Sequence, residues 1–260
     1  MSYKTDVNTD IGTKKEVNQD SLLVKQGKTA AGDVVCVACL CDGMGGLSQG
    51  EMASSSFVRR IDEWFRNELP GALSKEEKTE ELSANDMDNK SLKQVQIQLN
   101  LIVQQMNEKL KEYGRTQGFR IGTTVVMMVI VNDEYLVMNV GDSRAYVFTN
   151  SQIGLLTHDH SYVQQQMDLG KMTYEEAVNS DKKSILLQCI GASEEVKPDF
   201  YTGSCNKGEN YLLCSDGLWR KLDPNEIVKI AAQRDGLKKL TELVKNRGET
   251  DNISGLLISI

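Results

Sequence analysis

Apolar residues form two kinds of pattern in the first part of the chain. Residues 20–27 and 33–41 are short β-branched runs bounded by Gly and Asp, and they predict two strands. Over residues 49–69 the apolar positions recur at helical spacing, and the following Pro70-Gly71 pair is expected to end that helix. The chain therefore begins with strands and continues into a helical layer.

The next segments differ sharply in polarity. Residues 71–90 are charged and aperiodic and predict a surface loop between two helices, the second of which spans about residues 91–113. Residues 122–157 then predict three or four consecutive strands, and their apolar character on both faces suits strands buried between two layers. The remaining predicted elements are a polar helical segment at 161–180, strands at 185–191, 196–203, 210–219 and 253–260, and helices at 224–233 and 237–246.

Clusters of strands thus interleave with pairs of helices, without strict alternation of one strand and one helix. This order favours an α+β fold over a doubly wound sheet. We expect a four-layer α-β-β-α sandwich, with two antiparallel β-sheets flanked by helices, formed by a single domain over residues 1–260.

Composition narrows the setting. The chain is 40 % hydrophobic and 26 % charged, which is typical of a soluble globular protein. It has no apolar run of 18 residues and a polar N-terminal segment, so we expect neither a membrane span nor a secretory signal. The six cysteines lie mostly in apolar runs, which favours small core residues over a zinc site or disulfides, in a cytoplasmic protein.

The net charge of −7 argues against nucleic acids and membrane surfaces as partners. Nucleic acids and membrane surfaces are recognised through basic patches, so neither is expected to bind this chain. The excess of acids also suggests that a cation neutralises some of them.

Five aspartates lie where predicted strands begin or end, each beside a turn residue: Asp20, Asp42, Asp142, Asp216 and Asp251. Any one of them could be a simple turn former. Strand ends in a sandwich can meet at one edge, however, and several carboxylates in one cleft repel each other unless a cation compensates. Mg²⁺ or Mn²⁺ prefers such oxygen ligands, and two-metal carboxylate sites typically hydrolyse phosphate esters. Gly43 lacks a Cβ, so its carbonyl could approach an ion closely.

Seven motifs, in order, carry a family resemblance: TDIGTKKEVNQD, CDGMGG, GTT, VGDSRAY, LTHDHS, SDGLW and TDNIS. From about Thr9 onwards the chain resembles bacterial type 2C (PPM family) metal-dependent Ser/Thr protein phosphatases. The resemblance implies a sandwich fold and hydrolysis of phosphoserine and phosphothreonine in proteins by a metal-bridging hydroxide. It also implies Mn²⁺ or Mg²⁺ as cofactor, with two ions and a third, weaker one.

The resemblance also implies roles for particular residues. Asp42 would bridge the two ions, Gly43 would give a carbonyl ligand, and Asp20 would belong to the second ion. The first ion would be held by Asp216 and Asp251, and a weaker third ion by Asp142 with Asp216. Asn252 would orient the neighbouring Asp251.

Two positions depart from the family pattern. Where relatives carry an arginine that binds substrate phosphate, this chain has Lys15, which keeps the charge but loses the bidentate fork, so Lys14 could share the task. Met44 stands where animal-type relatives have a histidine proposed as general acid. We still count Lys15 with Asp42 and Asp216 as the catalytic group.

The only histidines invite a two-histidine metal site, but the resemblance favours other roles. His160 is expected to anchor the start of a flap at about residues 161–185, and His158 is expected to be exposed. The flap would influence which phosphoprotein enters the site.

The expected partners are phosphorylated proteins, including a Ser/Thr kinase whose action the enzyme opposes, and the chain is expected to be a monomer. Two alternatives remain at this point. One is a catalytically silent domain of the same fold that works by binding, although such a domain would be expected to have lost acids. The other is a phosphatase of the related sporulation and stress type, which would carry extra regulatory domains.

Overall fold

The computed structural model describes residues 3–29, 32–45, 49–74 and 84–260. The strands are β1 (Lys4–Asp10), β2 (Asp20–Lys28), β3 (Val34–Met44), β4 (Gly122–Thr123), β5 (Val125–Val131), β6 (Glu134–Val140), β7 (Arg144–Phe148), β8 (Ile153–Leu155), β9 (Asp199–Ser204), β10 (Asn210–Cys214) and β11 (Ile253–Ser259). The helices are α1 (Gln49–Asn67), α2 (Leu69–Leu73), α3 (Ala84–Gln117), α4 (Tyr162–Asp168), α5 (Tyr174–Asn179), α6 (Asp216–Trp219), α7 (Pro224–Ile230) and α8 (Gly236–Asn246).

The strands form two antiparallel sheets. The first sheet has the order β1-β11-β10-β7-β8, and the second has the order β2-β3-β5-β6-β9 with the short β4 paired to β3. Every strand pair is antiparallel.

Strand β5 shows why the central segment reads as apolar on both faces. Val126, Met128 and Ile130 pack between the two sheets. The alternate residues Met127 and Val129 point to the helices on the outer face. Both faces are therefore dry, as the sequence pattern predicted.

Helices cover the outer faces of both sheets. α1 and α3 pack on the second sheet through Phe57, Trp64 and Leu99, among others. α7 and α8 pack on the first sheet through residues such as Ile227 and Leu240. The predicted α+β sandwich with its four layers is confirmed. All six cysteines are buried, as their placement in apolar runs predicted.

Several element boundaries differ from the prediction. Residues 185–191 make only isolated bridges, Ser161 with Leu186 and Thr123 with Ile190, and no strand. Ile185 is 46 % exposed, since the segment leaves the helices of residues 162–179 and lies outside both sheets. The predicted strand at 210–219 is strand only to Cys214, after which residues 216–219 form the turn of α6.

The predicted loop at 71–90 is also wrong in part. Pro70 occupies the first turn of α2, where its missing N–H costs nothing, so the Pro70-Gly71 pair starts a short helix after α1. Residues 84–90 belong to α3, because they contain neither Gly nor Pro and a charged composition does not prevent a helix. Residues 75–83 of the predicted loop lie outside the described residues.

Strand β1 was not predicted, because its sequence KTDVNTD has a single large apolar residue. It pairs along its whole length with β11 at the edge of the first sheet. Among the described residues, we find no helix with both the length and the apolar character that crossing a membrane requires.

Candidate active site

The second sheet contributes two of the aspartates through strand register. β2 begins at Asp20, and β3 runs antiparallel beside it, so that Asp20 lies directly opposite Asp42. Neighbouring residues in such a pair lie about 5 Å apart. The start of one strand and the end of the next therefore place two carboxylates side by side.

The first sheet contributes the other three aspartates at the corresponding ends of β7, β10 and β11. Cys214, the last residue of β10, pairs with Arg144 at the start of β7 and with Gly255 near the start of β11. Asp142 precedes β7, Asp216 follows β10 and Asp251 precedes β11. All three thus lie at the same end of the neighbouring strands β7, β10 and β11.

Hydroxyl groups join the edges of the two sheets. Ser215 Oγ donates to Asp20 Oδ2 over 3.1 Å. The Asp42 N–H donates to Thr124 Oγ1 over 3.1 Å, and the Thr124 hydroxyl lies 2.8 Å from that of Ser143. The structure therefore brings the acids of both sheets into one cluster, which we call the acid cluster: Asp20, Asp42, Asp142, Asp216 and Asp251.

Burial makes ionisation costly for four members of the acid cluster, Asp20, Asp42, Asp142 and Asp216. Burial, and then the neighbouring carboxylates, raise the pKa of Asp42 well above its usual range. Burial is also the largest cause that raises the pKa of Asp20 and of Asp142 to about 7. The pKa of Asp216 is raised as well, first by burial, although Arg220 opposes the shift. A cation in the cluster would relieve this cost.

Two cationic side chains reach the acid cluster. Lys15 Nζ lies 2.8 Å from Asp251 Oδ1. Arg220 lies 2.7 Å from Asp216 Oδ2 and 2.9 Å from Asp142 Oδ2. Burial alone would lower the pKa of Lys15, but the hydrogen bond and charge of Asp251 raise it above its usual value. Lys15 is therefore charged at the edge of the cluster.

The loop between β1 and β2 carries Lys15, and Asn252 holds that loop. The Asn252 Nδ2 group donates to the carbonyls of Ile11 and Val17 over 2.9 and 3.2 Å. Its Oδ1 accepts from the Gln19 N–H over 2.9 Å. The expected link to Asp251 runs through the main chain, since the Asn252 N–H donates to Asp251 Oδ1.

Two glycines allow close approaches at the site. Gly12 has φ +79°, and a Cβ there would overlap the carbonyl of Asp251, so this glycine lets the Lys15 loop lie on the cluster. A Cβ on Gly43 would overlap the carbonyl of Gly50, which shows that β3 and α1 meet closely beside Asp42.

The donor set of the acid cluster fits a hard divalent cation. With every carboxylate ionised, no donor among the described residues reaches two buried oxygens, Asp20 Oδ1 and Asp216 Oδ1. As they stand, no three Asp, Glu, His or Cys side chains in the described part of the chain are arranged to hold an ion. Lys15 instead contacts an oxygen of Asp251, and Arg220 contacts one oxygen each of Asp142 and Asp216. Carboxylate oxygens that accept no hydrogen bond are the kind of ligand that Mg²⁺ and Mn²⁺ require.

Sequence reasoning missed two residues at the site. Arg220 follows Asp216 by four residues, a helical spacing that could have revealed it. Glu249 is 8 % exposed, and its Oε1 accepts from the N–H groups of Thr250 and Asp251, which fixes the turn before β11. No sequence signal distinguishes this glutamate from a surface one.

The histidines lie where they were expected. His160 is buried, its Nδ1 accepts from the Gly141 N–H over 3.3 Å, and its Nε2 lies 3.0 Å from Asp199 Oδ2. It therefore anchors the chain that enters α4. His158 is exposed beside Asp168. Met44 is half-buried and pairs with Gly122.

A cleft opens between the acid cluster and residues 161–185. Its volume is about 510 Å³. Its lining includes Asp142, Asp251 and Arg220, together with Met167 and Tyr174 of the segment 161–185. A side chain carrying a phosphate could therefore reach the cluster along this cleft.

Comparison with known proteins gives a consistent picture. A family model described as protein phosphatase 2C matches residues 12–257. Protein phosphatase PhpP of Streptococcus pneumoniae is 29 % identical over 258 residues, which cover 97 % of this chain and 95 % of the relative. The solved serine/threonine phosphatase of S. agalactiae is 29 % identical, covers 100 % of both chains and has a TM-score of 0.78. The catalytic domain of the phosphatase PstP, solved in complex with 2 manganese ions, has the same fold at 21 % identity, covering 99 % of this chain and 97 % of that one with a TM-score of 0.73.

Proposed function

The chain belongs to the protein phosphatase 2C family and is a serine/threonine protein phosphatase, and we propose that its reaction takes place at the acid cluster. One observation carries this proposal. Both sheets contribute carboxylates to a single cluster, in which the pKa values of Asp42 and Asp20 are raised and two buried oxygens have no donor among the described residues. Bound cations would offset this concentration of negative charge.

We assign the cofactor as two Mn²⁺ or Mg²⁺ ions, consistent with the metal dependence of the family. Asp42 would contact both ions, the Gly43 carbonyl and Asp20 would serve one side, and Asp216 and Asp251 the other. Bound ions would supply a deprotonated water as nucleophile and neutralise charge on the phosphoryl oxygens.

Lys15 is the proposed phosphate-binding residue. Its side chain is 42 % exposed, so the ammonium group can leave Asp251 and meet a phosphoryl oxygen that enters the cleft. The hydrogen bonds of Asn252 hold the loop that carries it, which limits how far Lys15 can move. A lysine gives one charge without the planar fork of arginine, so it binds phosphate without fixing its rotation.

Met44 has no proton to donate, although it lies next to Gly43 at the end of β3. The serine or threonine alkoxide that leaves would therefore take its proton from water in the cleft. This route predicts that no protein side chain acts as general acid at the Met44 position.

The substrates we propose are phosphoserine and phosphothreonine proteins, among them a Ser/Thr kinase that the phosphatase opposes. Residues 161–185, which line the cleft, would act as the flap that selects among these substrates, because binding residues often lie on segments beside a rigid site. A cytoplasmic monomer without nucleic acid or membrane partners fits the net charge of −7.

Replacement of Asp216 tests the proposed reaction. Asp216→Asn keeps the shape of the side chain but removes one carboxylate from the cluster. We expect hydrolysis of a phosphothreonine peptide to fall at least about 100-fold, because loss of a metal ligand removes several kcal/mol of transition-state stabilisation. Phosphate release is measured with Mn²⁺ and again with excess EDTA, where the wild-type chain should lose its activity.

Asp235→Asn is the matched control, because Asp235 is exposed and lies before α8, outside the acid cluster. It should hydrolyse the peptide at the wild-type rate. Full activity of the Asp216→Asn chain, or of the wild-type chain in EDTA, would contradict the proposal. Absence of Mn²⁺ binding in calorimetry would favour the alternative of a silent binding domain.

A further inference from the structure

Arg220 lies at the end of a short helical turn that begins at Asp216. Asp216 opens α6 and Arg220 follows its last residue, so the two side chains are four residues apart and face each other. The guanidinium uses one nitrogen for Asp216 Oδ2 over 2.7 Å and another for Asp142 Oδ2 over 2.9 Å. One planar cation therefore bridges two carboxylates from different strand ends.

The surroundings of this bridge are built into the fold. The side chains of Asp142 and Asp216 are only 6 % and 11 % exposed, and that of Arg220 is 19 % exposed. Trp219 Nε1 donates to the carbonyl of Asp142 over 2.9 Å, which fixes the main chain at this aspartate. Arg220 is thus held at this position by buried partners.

We infer that the guanidinium of Arg220 is a built-in cation between Asp142 and Asp216, so that the acid cluster accepts two divalent ions and no third ion binds between this pair. The inference rests on the proposed function, because it concerns the number of ions that the phosphatase site holds. Arg220 is a positioning residue in this role, since it acts through the carboxylates it binds.

Charge and geometry both support this assignment. Arginine stays protonated throughout the pH range of proteins, so its positive charge is permanent. A divalent ion between the same two Oδ2 atoms would meet that charge at close range in a poorly solvated place, or would leave the buried guanidinium without partners. The other oxygen, Asp216 Oδ1, is buried and has no donor among the described residues when the carboxylates are ionised, so Asp216 can bind Arg220 and a metal ion at once.

The same guanidinium also reaches the far wall of the cleft. It lies 3.4 Å from the carbonyl of Lys183 and 3.4 Å from Ser184 Oγ. Both residues belong to the segment 161–185, which lines the cleft together with Asp142 and Asp251. Loss of Arg220 should therefore loosen this segment as well as free the two carboxylates.

The test is a count of bound Mn²⁺ by native mass spectrometry of the full chain, with equilibrium dialysis as a second measurement. The wild-type chain is expected to bind two ions, and Asp142→Asn is expected to bind the same two, because Asp142 holds Arg220 and no ion. Arg220→Gln is expected to bind one additional ion, and Arg220→Gln/Asp142→Asn is expected to lose it again. Backbone amides of residues 181–187 should exchange hydrogen faster in Arg220→Gln than in the wild type.

Arg247→Gln is the matched control, since Arg247 also binds a carboxylate with two nitrogens, that of Glu226, but lies outside the cluster. It should bind two ions and exchange like the wild type. Three ions in the wild type, one ion fewer in Asp142→Asn, or no extra ion in a folded Arg220→Gln chain would overturn the inference alone. A wild-type chain that binds no ion would remove the proposed function, and the inference with it. If Arg220→Gln does not fold, the comparison of wild type with Asp142→Asn still decides.

Discussion

Two arginines contact Trp219, and each binds aspartate, but only one of them balances the charge it meets. The Arg144 guanidinium lies 3.4 Å from the centre of the Trp219 ring and makes three hydrogen bonds of 2.8 to 3.2 Å with Asp159. Arg220 lies 5.8 Å from the same ring and divides its bonds between Asp142 and Asp216. Arg144 and Asp159 form a neutral pair of opposite charges. Arg220 carries one positive charge between two carboxylates, so net negative charge remains.

The difference separates a structural ion pair from one that we propose to be functional. Asp159 is 6 % exposed and fully engaged, so it has nothing left to bind and serves to join β7 to the chain before α4. Asp216 has a buried oxygen without a donor among the described residues and lies among four more aspartates. A buried carboxylate oxygen without a hydrogen-bond donor distinguishes the candidate site better than burial or the presence of an arginine does.

Breaking the balanced pair should have the largest effect on stability. Arg144→Met leaves the buried Asp159 carboxylate alone, and we expect the free energy of unfolding to fall by about 3 kcal/mol. Urea denaturation in EDTA and in Mn²⁺ measures the loss, which the ion should not restore. Arg144→Met/Asp159→Leu should recover most of it. A loss below about 1 kcal/mol, or recovery with Mn²⁺ alone, would show that the two arginines do not differ as described.

The surplus charge should make the metal-free chain sensitive to pH. Because burial raises the pKa of Asp20 and of Asp142 to about 7 from 3.8, the folded chain binds protons more tightly than the unfolded chain between these values. In EDTA the melting temperature should therefore rise as the pH falls from 8 to 6. Calorimetry at several pH values measures this slope, with Asp235→Asn as a control that keeps it.

Saturating Mn²⁺ should reverse the dependence, because the ion binds ionised carboxylates and stabilises the folded chain most where they are ionised. Asp142→Asn should flatten the slope in EDTA in part. A melting temperature in EDTA that falls steadily from pH 8 to pH 6 would contradict the surplus of buried charge.

The smallest effect should come from the exposed arginine fork. Arg247 binds Glu226 over 2.6 and 2.7 Å, which lowers the pKa of Glu226 to about 2, first through the side-chain hydrogen bond. Water and salt screen this pair, so Arg247→Gln should cost no more than about 1 kcal/mol in urea denaturation, and less in high salt. A cost equal to that of Arg144→Met would mean that burial does not set the difference.

Much of the site could be predicted because its acids stand next to recognisable strands. Asp42 closes the apolar run of β3 and Asp20 opens that of β2, so the antiparallel register that puts them face to face follows from the fold. The conformation after Cys214 was predicted wrongly, as a continued strand. An extended chain would place Arg220 about 13 Å from Asp216, whereas the helical turn of α6 brings the two into contact.

Two further errors show where polarity misleads. The run at 185–191 is apolar but makes only single-residue bridges, Leu186 with Ser161 and Ile190 with Thr123, and forms no strand. β1 is polar but forms a strand, because β11 supplies hydrogen-bonding partners along its whole length. The pattern of apolar residues shows which side chains prefer burial. Strand formation also depends on hydrogen-bonding partners that are distant in sequence.

The position of β11 has a consequence for the order of events during synthesis. It lies between β1 and β10, with Lys4 paired to Ser259 and Asp10 paired to Ile253. β1 therefore has no partner on its β11 side until almost every other element has left the ribosome, and Asp251 and Asn252 arrive with that partner. Pairing of β11 with β1 is expected to be slow, because the chain must close a loop that spans nearly the whole sequence. The acid cluster is therefore complete only after this step.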